Sequence, residues 1–338
     1  MGMPTIKDVA RTAGVSVSTV FKVLADNDSV IDQLRQQVLA AMEELDFDPG
    51  LLAAGHRNQN IDVIGLIVPD ITNPFFAQLA KYIEMEAVTR GLSVMLANSH
   101  HDADAERTQV RALQDRAVSG VIVVASSDDS QPFDTDLPIV SLDRRYLSHP
   151  LVTTDQKDGA RRVADHLHSI GHRRIAYIAG PEHMEVARDR RAGFVGRITE
   201  LSTPGDPIDI VVQHGQFDFD AGEEIGRRFL DKEPALRPTA IATASDQQAI
   251  GVLRCARDIG ISVPKQLSVA GFDDIELASL VVPRLTTLRQ PIEDLASRAL
   301  DRLLSSQSDQ KDFSIRGSLV VRESTAPQTN QLDKSDAA

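Results

Sequence analysis

The most constraining feature of the sequence is an alternation of short apolar runs with amphipathic stretches over residues 61–271. Short apolar runs are typical of buried strands, and apolar residues at helical spacing between them indicate helices. Strands that are apolar on both faces and joined by helices form parallel sheets with helices on both sides. The predicted strands are too many for one lobe, so we expect two similar α/β lobes of about 100–130 residues each. Strands are predicted at 61–68, 92–97, 121–124, 138–142, 174–179, 208–213, 239–243 and 267–271. Helices are predicted at 74–90, 103–116, 186–201, 218–231 and 246–259, and a further helix begins at the cap Asp155 and runs to about residue 170.

The segment before this alternation has a different pattern. Residues 5–24 predict two short helices joined by a tight turn, with Gly14 in the turn and Ser16 as the cap of the second helix. Val20 and Val23 follow at helical spacing and can pack back on the first helix. The spacing is that of a helix-turn-helix, whose second helix lies in the major groove of DNA.

Two further segments complete the predicted organisation. A third helix is expected over residues 32–45 with Asp32 as its cap, and the turn residues of 46–50 end it. Residues 51–60 have the composition of a linker, and the polar residues from Thr325 onward are expected to be frayed.

Charge and composition limit the partners and the compartment. The net charge is −13, and residues 1–60 hold five Lys or Arg against eight Asp or Glu, so we expect a weak electrostatic contribution to DNA binding. No run approaches the roughly 18 apolar residues of a membrane span. The N-terminus lacks the apolar stretch of an export signal, and the single cysteine, Cys255, is expected to be a small buried residue. These features predict a cytoplasmic protein without a membrane partner.

An ordered series of motifs over nearly the whole chain resembles the LacI/GalR family of bacterial transcription factors. Besides the helix-turn-helix, the motifs are Ile71-Thr72-Asn73-Pro74-Phe75-Phe76, Gly120-Val121-Ile122, Ser141-Leu142-Asp143-Arg144, Arg190-Arg191-Ala192-Gly193-Phe194, Ala244-Ser245-Asp246-Gln247-Gln248-Ala249-Ile250-Gly251, Val269-Ala270-Gly271-Phe272-Asp273-Asp274, Pro283-Arg284-Leu285-Thr286-Thr287-Leu288 and Leu319-Val320-Val321-Arg322-Glu323-Ser324. The resemblance implies a homodimer with an N-terminal all-α helix-turn-helix headpiece, a hinge helix and an α/β core. The core is expected to comprise two doubly wound parallel-sheet lobes of the periplasmic-binding-protein type. The expected boundaries are 1–48 for the headpiece, 49–60 for the hinge, 61–160 with 291–320 for the first lobe, 161–290 with 321–330 for the second, and 331–338 for a disordered tail.

The second helix and the hinge supply the expected contacts to a palindromic DNA operator. The DNA-contact residues predicted from the helix face and the resemblance are Thr5, Ser16, Val17, Ser18, Thr19, Phe21, Lys22, Ala53 and His56. Phe21 departs from the family, which usually has serine there, and Lys22 lacks the bidentate fork of the usual arginine. In the hinge, Gly50, Ala54 and His56 replace the family's Asn, Arg and Leu, so we expect a weakly formed hinge helix. The alternative for the predicted contact face is a merely solvated helix surface.

The fold places a ligand between the lobes, at the carboxyl ends of the strands. The family resemblance then implies the effector-binding residues, which are Asn73, Phe75, Phe76, Ser126, Asp143, Arg190, Phe217, Asp246 and Asp273. Carboxylates accept hydrogen bonds and arginine donates them, which suits the neighbouring hydroxyls of a sugar. The phenyl rings could stack on a sugar or on a flat base. For each carboxylate the alternative is a helix cap or a surface charge. His100 and His101 lack metal-ligand spacing and are expected in an exposed loop.

These observations favour an allosteric transcriptional regulator, most simply a repressor, with a sugar or sugar derivative as its effector and a purine or nucleoside as second choice. The acidic headpiece and the altered hinge motivate an alternative, a sensor that has lost DNA binding. A solute-binding protein for export is disfavoured because no signal peptide is present. An enzyme is disfavoured because the sequence has no dinucleotide, P-loop, nucleophile-elbow or zinc-protease motif, and no cofactor or metal is expected.

Overall fold

A computed structural model describes residues 6–24, 30–45, 47, 62–128, 135–305 and 311–328. The chain forms two compact units, Met1–Ile61 and Asp62–Ala338, which we call the headpiece and the core. The predicted hinge of residues 49–60 and the predicted tail of 331–338 lie outside the described residues. In the part of the chain that is described, no helix combines the length and the apolar character needed to cross a membrane.

The headpiece consists of helices α1 (Ile6–Thr12), α2 (Val17–Leu24) and α3 (Asp32–Glu44) around a small apolar core. Its buried side chains are Val9, Ala10, Val20, Val23, Val30, Val38, Ala41, Met42 and Phe47. Gly14 takes φ +68° in the turn between α1 and α2, a backbone region that glycine occupies without strain. The predicted helix-turn-helix is confirmed. The predicted cap of α3 is wrong, since Ile31 stands at that position without a side-chain cap and Asp32 is already helical.

The first lobe of the core contains a six-stranded sheet in which each pair of neighbouring strands is parallel. Its strands are β1 (Asp62–Val68), β2 (Leu92–Asn98), β3 (Val121–Val123), β4 (Ile139–Leu142), β5 (Leu151–Thr154) and β11 (Phe313–Ile315). Their order is β11-β5-β4-β3-β1-β2. Three helices accompany this sheet, α4 (Pro74–Thr89), α5 (Ala103–Asp115) and α10 (Ile292–Leu304).

The second lobe repeats this plan, with one antiparallel strand at an edge. Its strands are β6 (Arg174–Ala179), β7 (Asp209–His214), β8 (Ala240–Thr243), β9 (Ser268–Asp273), β10 (Thr286–Arg289) and β12 (Ser318–Val320). Their order is β12-β10-β9-β8-β6-β7, and only the pairing of β12 with β10 is antiparallel among the described strands. Its helices are α6 (Gln156–Ser169), α7 (Glu185–Leu201), α8 (Phe219–Leu230) and α9 (Asp246–Asp258). Two short 3₁₀ helices lie at Pro234–Leu236 and Glu276–Ser279. The predicted pair of parallel-sheet lobes is confirmed.

Among the described residues of the core, the chain crosses between the lobes three times. The crossings follow Thr154 and Arg289 and lie between Ile315 and Ser318. The second leads from β10 into α10, which packs on α4 of the first lobe. At the other two, residues 156–160 and 318–320 lie in the second lobe rather than the first, because α6 packs on α7 and β12 pairs with β10.

Helices α8 and α9 approach one another at backbone contact. A Cβ atom added to Gly222 would lie 2.1 Å from the carbonyl oxygen of Gln248, and one added to Gly251 would lie 2.1 Å from that of Phe219. No larger residue fits at either position without separating the helices. The two glycines therefore set the distance between these helices.

Candidate functional site

The exposed face of α2 is the candidate DNA-contact surface of the headpiece. Val17 is 37% exposed and Lys22 is exposed, whereas Val20 and Val23 are buried against the other two helices. The helix thus turns Val17 and Lys22 away from the headpiece core.

The polar residues at the start of α2 cap the helix. The hydroxyl oxygen of Ser16 accepts a hydrogen bond from the backbone N–H of Thr19 at 3.1 Å, and the two side-chain hydroxyls lie 2.8 Å apart. This arrangement fixes the start of the helix. The side chains of Ser18 and Phe21, and the whole of Thr5, Ala53 and His56, lie outside the described residues.

The positive charge of this surface is small. Arg11 on α1 pairs with Asp8 at 2.6 Å, so part of its charge is compensated within the helix. Lys22 contributes the basic group in the last turn of α2. Neutralisation of phosphates supplies most non-specific affinity for DNA, so the described surface provides little of it.

The core holds a cleft between its two lobes, lined by the carboxyl ends of the parallel strands and the starts of the helices that follow them. Within it lie a small cavity of about 20 Å³ and an adjoining cavity of about 520 Å³. Seven predicted effector contacts line the smaller cavity, namely Asn73, Phe75, Phe76, Asp143, Arg190, Phe217 and Asp273. Ser126 lines the larger cavity, which Asn73 and Phe217 share. The fold therefore brings together eight of the nine predicted residues.

Arg190 on α7 is the most strongly anchored side chain of the cleft. It is buried, its Nε donates to the Oε1 of Gln156 at 2.8 Å, and its Nη1 donates to the carbonyl oxygen of Ala244 at 2.6 Å and to Oδ1 of Asp273 at 3.1 Å. The guanidinium carbon also lies 4.0 Å from the ring centroid of Phe272. These partners belong to the second lobe, so the side chain of Arg190 is fixed on the second-lobe side of the cleft.

Asp143 and Asp273 adopt left-handed backbones at the ends of β4 and β9, with φ of +61° and +123°. Both carboxyl groups are buried. Burial raises the pKa of Asp273 to about 6, although Arg190 and the amide of Gln290 act in the opposite direction. Burial also raises the pKa of Asp143, against the opposing charges of Arg190 and Arg144. Strained backbone and raised carboxyl pKa values together are typical of a functional site.

Gln290 connects Asp273 to the second crossing between the lobes. Its Nε2 donates to Oδ1 of Asp273 at 2.8 Å, and its Oε1 accepts from the hydroxyl of Thr154 at 2.6 Å. Thr154 ends β5, at the first crossing. The carboxyl group in the cleft is thereby tied to two of the three crossings.

Asp246 is the predicted contact that lines neither cavity. Its Oδ1 accepts from the hydroxyl of Thr287 at 2.5 Å, and its Oδ2 accepts from the backbone N–H of Ile275 at 2.9 Å. The carboxyl group is fully buried behind the loop that follows Asp273. This placement supports a role in shaping that loop and gives no support to direct contact with an effector.

Arg144 is a cleft residue that the sequence-based prediction missed. It lines both cavities, and its guanidinium carbon lies 5.0 Å from the ring centroid of Phe76 in the first lobe and 5.7 Å from that of Phe217 in the second. The side chain is 10% exposed. The only available signal was its position directly after Asp143 in one of the quoted motifs.

The rim of the cleft carries a polar contact between the lobes. Oδ2 of Asp128, in the first lobe, accepts from the backbone N–H of Glu185 at 2.8 Å and from Nη2 of Arg188 at 3.1 Å. Glu185 is the first residue of α7, whose Met184 cap position supplies no side-chain hydrogen bond. Asp128 therefore caps a helix of the opposite lobe and favours the closed cleft.

The remaining polar candidates have local roles. The Ser126 hydroxyl lies 2.5 Å from that of buried Ser99, and its backbone N–H donates to Oε2 of Glu106 at 2.6 Å. His100 and His101 lie in an exposed loop, as predicted, and His101 borders the larger cavity. Among the described residues no group of three or more His, Cys, Asp or Glu is arranged to hold a metal. Cys255 is buried, as predicted.

Comparison with known proteins identifies the family to which this fold belongs. A family model described as bacterial regulatory proteins of the lacI family matches residues 5–50, and a periplasmic binding protein-like domain matches residues 164–325. The ribose operon repressor of Halalkalibacterium halodurans is 37% identical over 331 residues, covering 96% of this chain and 97% of that protein. The chain belongs to the LacI family of bacterial regulatory proteins. It is accordingly a DNA-binding transcriptional regulator.

Solved structures of LacI-family proteins share the fold of this chain. The lac repressor dimer bound to operator and the anti-inducer ONPF superposes with a TM-score of 0.71 at 29% identity, covering 96% of this chain and 100% of that one. A LacI family transcriptional regulator from Enterococcus faecium with bound ribose gives a TM-score of 0.69 at 28% identity, covering 79% of this chain and 100% of that one. These LacI-family relatives are transcriptional regulators, in keeping with the sequence-based expectation that the chain is not an enzyme.

Proposed function

We propose that this protein is a repressor that binds a palindromic operator as a homodimer and releases or engages it in response to a sugar-like effector held between the core lobes. The convergence of Arg190, Asp273 and Asp143 with three phenyl rings at the ends of strands from both lobes carries this proposal. Donors and acceptors of hydrogen bonds beside apolar rings suit a ligand with vicinal hydroxyls and an apolar face.

The choice of a sugar over a purine is supported by the lining of the larger cavity. Its 520 Å³ suits a small ligand, and its polar wall includes the hydroxyls of Thr72 and Ser126 and the amides of Asn73 and Gln247. The relatives named for ribose point the same way. The proposed effector contacts are the eight predicted residues that line the cavities, with Arg144 added.

The DNA contacts are proposed on the exposed face of α2, around Val17 and Lys22. Ser16 and Thr19 would act by fixing the start of that helix, and Thr5, Ser18 and Phe21 would add contacts from the same unit. The hinge residues Ala53 and His56 are proposed to enter the minor groove weakly, because two glycines in the segment disfavour a helix by about 1 kcal/mol each. Operator binding is therefore expected to bend DNA less than a fully formed hinge would.

A mobility-shift experiment at low and moderate salt tests the DNA half of the proposal. Duplexes carrying selected inverted repeats are titrated with the full chain, with and without ribose, and Lys22→Ala is compared with Lys81→Ala in the core as a matched change of charge. We expect a shifted duplex, a change with effector, and a weaker complex for Lys22→Ala alone. Failure of every inverted repeat to bind, whatever the additive, would refute a repressor.

Thermal unfolding of the core tests the effector half. A ligand that binds only the folded state raises the unfolding temperature, and a panel of pentoses, hexoses and nucleosides should show a rise only for sugars that fit the cleft. Arg190→Gln is expected to abolish that rise. A rise without any binding to DNA would favour the second candidate function, a sensor that acts without an operator. The excess of acidic over basic residues in the headpiece also favours that function.

A further inference from the structure

Gln156 lies where the chain first enters the second lobe, and its side chain contacts residues of both lobes. It is the first residue of α6 and is buried. Its Oε1 accepts from Nε of Arg190, in the second lobe, at 2.8 Å. Its Nε2 lies 3.4 Å from two acceptors of the first lobe, Oδ1 of Asp143 and Oγ1 of Thr153. One side-chain amide therefore joins the two lobes beside the first crossing.

An amide is complementary to both of these charged neighbours. A guanidinium only donates hydrogen bonds and an ionised carboxylate only accepts them, so the amide oxygen faces Arg190 and the amide nitrogen faces Asp143. A glutamate at position 156 would place a second negative charge beside Asp143, and a lysine or arginine would place a second positive charge beside Arg190. The neutral side chain of Gln156 supplies an acceptor at one end and donors at the other.

The two ends of the amide are held with unequal strength. The contact with Arg190 is short and involves a charged donor, whereas the contacts with the first lobe are at the outer limit of hydrogen-bond distance. Arg190 also donates to the carbonyl oxygen of Ala244 and to Asp273, both in the second lobe. When the lobes move, the amide is therefore expected to stay with Arg190, so the contacts with Asp143 and Thr153 are the ones that change.

Gln156 is distinct from the proposed effector contacts. Its partners Asp143 and Arg190 line the smaller cavity of the cleft, whereas Gln156 is not among the described residues that line either the smaller or the larger cavity. It is also distinct from Asp128, which connects the lobes at the rim. A ligand in the cleft thus reaches both partners of the amide without reaching the amide itself.

We propose that Gln156 is a positioning residue that couples Arg190 to the relative position of the lobes by holding Asp143 when the cleft is closed. The inference rests on the proposed function and adds the group that links the effector contacts of the two lobes. An effector that contacts Asp143 and Arg190 together brings the first lobe within reach of the amide, and the amide then stabilises the closed cleft. Gln156 contributes to closure in this way without contact with the effector.

Pulsed electron paramagnetic resonance on the full chain measures the distance between the lobes without DNA or effector. Nitroxide labels are attached after Asp104→Cys and Asp220→Cys, exposed positions in the first turns of α5 and α8, in a Cys255→Ala background. These turns follow the carboxyl ends of strands in the first and the second lobe. Labelled chain is diluted with unlabelled chain, so that distances within one protomer are recorded. The wild-type amide is expected to give mainly the short distance of the closed cleft.

A charge swap tests the pair. At pH 8, Gln156→Glu is expected to keep an acceptor for Arg190 and to repel the Asp143 carboxylate, so the ratio of short to long distances should fall about tenfold. Gln156→Glu combined with Asp143→Asn again places a donor opposite an acceptor, and the ratio should return to within about threefold of the wild-type value. Gln266→Glu is the matched control, because this exposed amide accepts from the N–H of Ser262 and a carboxylate preserves that bond. It should leave the ratio unchanged.

The outcomes decide the role of Gln156 separately from the proposed function. An unchanged distance distribution in Gln156→Glu would overturn the inference and leave the repressor in place. Opening that the double variant does not reverse, or equal opening in Gln266→Glu, would show a general disturbance of the fold and would also overturn it. Near-ultraviolet circular dichroism confirms that each variant is folded. Because the measurement uses neither operator nor sugar, a chain that binds neither would refute the proposed function without altering these distances.

Discussion

The contact between α8 and α9 makes a sharp prediction for a single methyl group. In Gly251→Ala the new Cβ would lie 2.1 Å from the carbonyl oxygen of Phe219 and 2.7 Å from the backbone nitrogen of Glu223. Real Cβ atoms do not approach backbone this closely, and backbone cannot rotate away as a flexible side chain can. The two helices must therefore separate by roughly 1 Å, and overpacking of this kind costs about 1–3 kcal/mol. We place Gly251→Ala at the upper end, because the obstacle is backbone.

A matched glycine in the same lobe predicts the opposite sign. Gly196 lies within α7, and a Cβ atom there would meet no atom within 4 Å. Gly196→Ala is therefore expected to stabilise the protein by about 0.5–1 kcal/mol, since alanine loses less conformational freedom in a helix. The pair shares the same chemical change and differs only in the space around the Cβ atom.

Thermal and urea unfolding measure the difference. The three tyrosines of the sequence, Tyr82, Tyr146 and Tyr177, all lie in the core, and the chain has no tryptophan, so tyrosine fluorescence reports unfolding of the core. At about 2–4 °C per kcal/mol, Gly251→Ala should lower the midpoint by roughly 4–12 °C and Gly196→Ala should raise it by roughly 1–4 °C. Equal midpoints for the two variants would refute the argument that backbone contact sets the helix spacing.

Three further predictions follow from the cleft and the headpiece. Because the pKa of Asp273 is raised to about 6 in the fold from its ordinary 3.8, the folded core binds a proton more readily than the unfolded chain, and its stability should rise as pH falls from about 6 to about 4. Asp273→Asn should flatten that part of the pH profile in urea titrations, and a profile parallel to that of the wild type would contradict the assignment. Asp128→Ala removes the cap of α7 and a half-exposed ion pair with Arg188, so the free energy that favours the closed cleft should fall by about 1–2 kcal/mol. Small-angle scattering should then show a larger radius of gyration, and an unchanged radius would count against the contact. Lys22→Arg should tighten operator binding, because the guanidinium can form two parallel hydrogen bonds with guanine. Competition with an unrelated duplex measures the gain in affinity, and the absence of a gain would place Lys22 away from the bases.

The strands and helices of the core could be predicted where polarity alternates strongly along the chain. The strand at Arg174–Ala179 agrees with the predicted residues, and the helix at Gln156–Ser169 begins after the cap predicted at Asp155, whose Oδ1 accepts from the N–H of Asp158. The strands Leu151–Thr154 and Thr286–Arg289 escaped, because half of each is threonine, which reads as polar in the sequence although it is largely buried here. The strands Phe313–Ile315 and Ser318–Val320 escaped because each is three residues long and none of its residues is fully buried.

The helix Ile292–Leu304 is a different case, since the sequence carries its apolar stripe although no helix is predicted there. Its buried residues are Ile292, Leu295, Ala296, Ala299, Leu300 and Leu303, which repeat at helical spacing. The helix packs on α4 and on strand β4 of the first lobe. Its apolar spacing is therefore a signal from which the helix is predictable.

The site was predictable in its location and less so in its members. Strand ends in a parallel sheet converge by topology, which brought eight predicted residues to the cleft. Sequence position does not show which way a carboxylate turns, so Asp246 was included although Thr287, far along the chain, accounts for one of its oxygens. An arginine beside an aspartate looks like a solvated pair in the sequence, and the burial of Arg144 became visible only in the fold.

The hydrogen bonds of Gln290 connect the cleft directly to the first crossing between the lobes. One amide group holds Asp273 on one side and Thr154 on the other, at the strand end where the chain first leaves one half for the other. A ligand that displaces that aspartate, or a proton that neutralises it, is therefore expected to change a hydrogen bond at the crossing between the lobes. Binding of a ligand in the cleft and the relative position of the lobes are in that sense coupled through one glutamine.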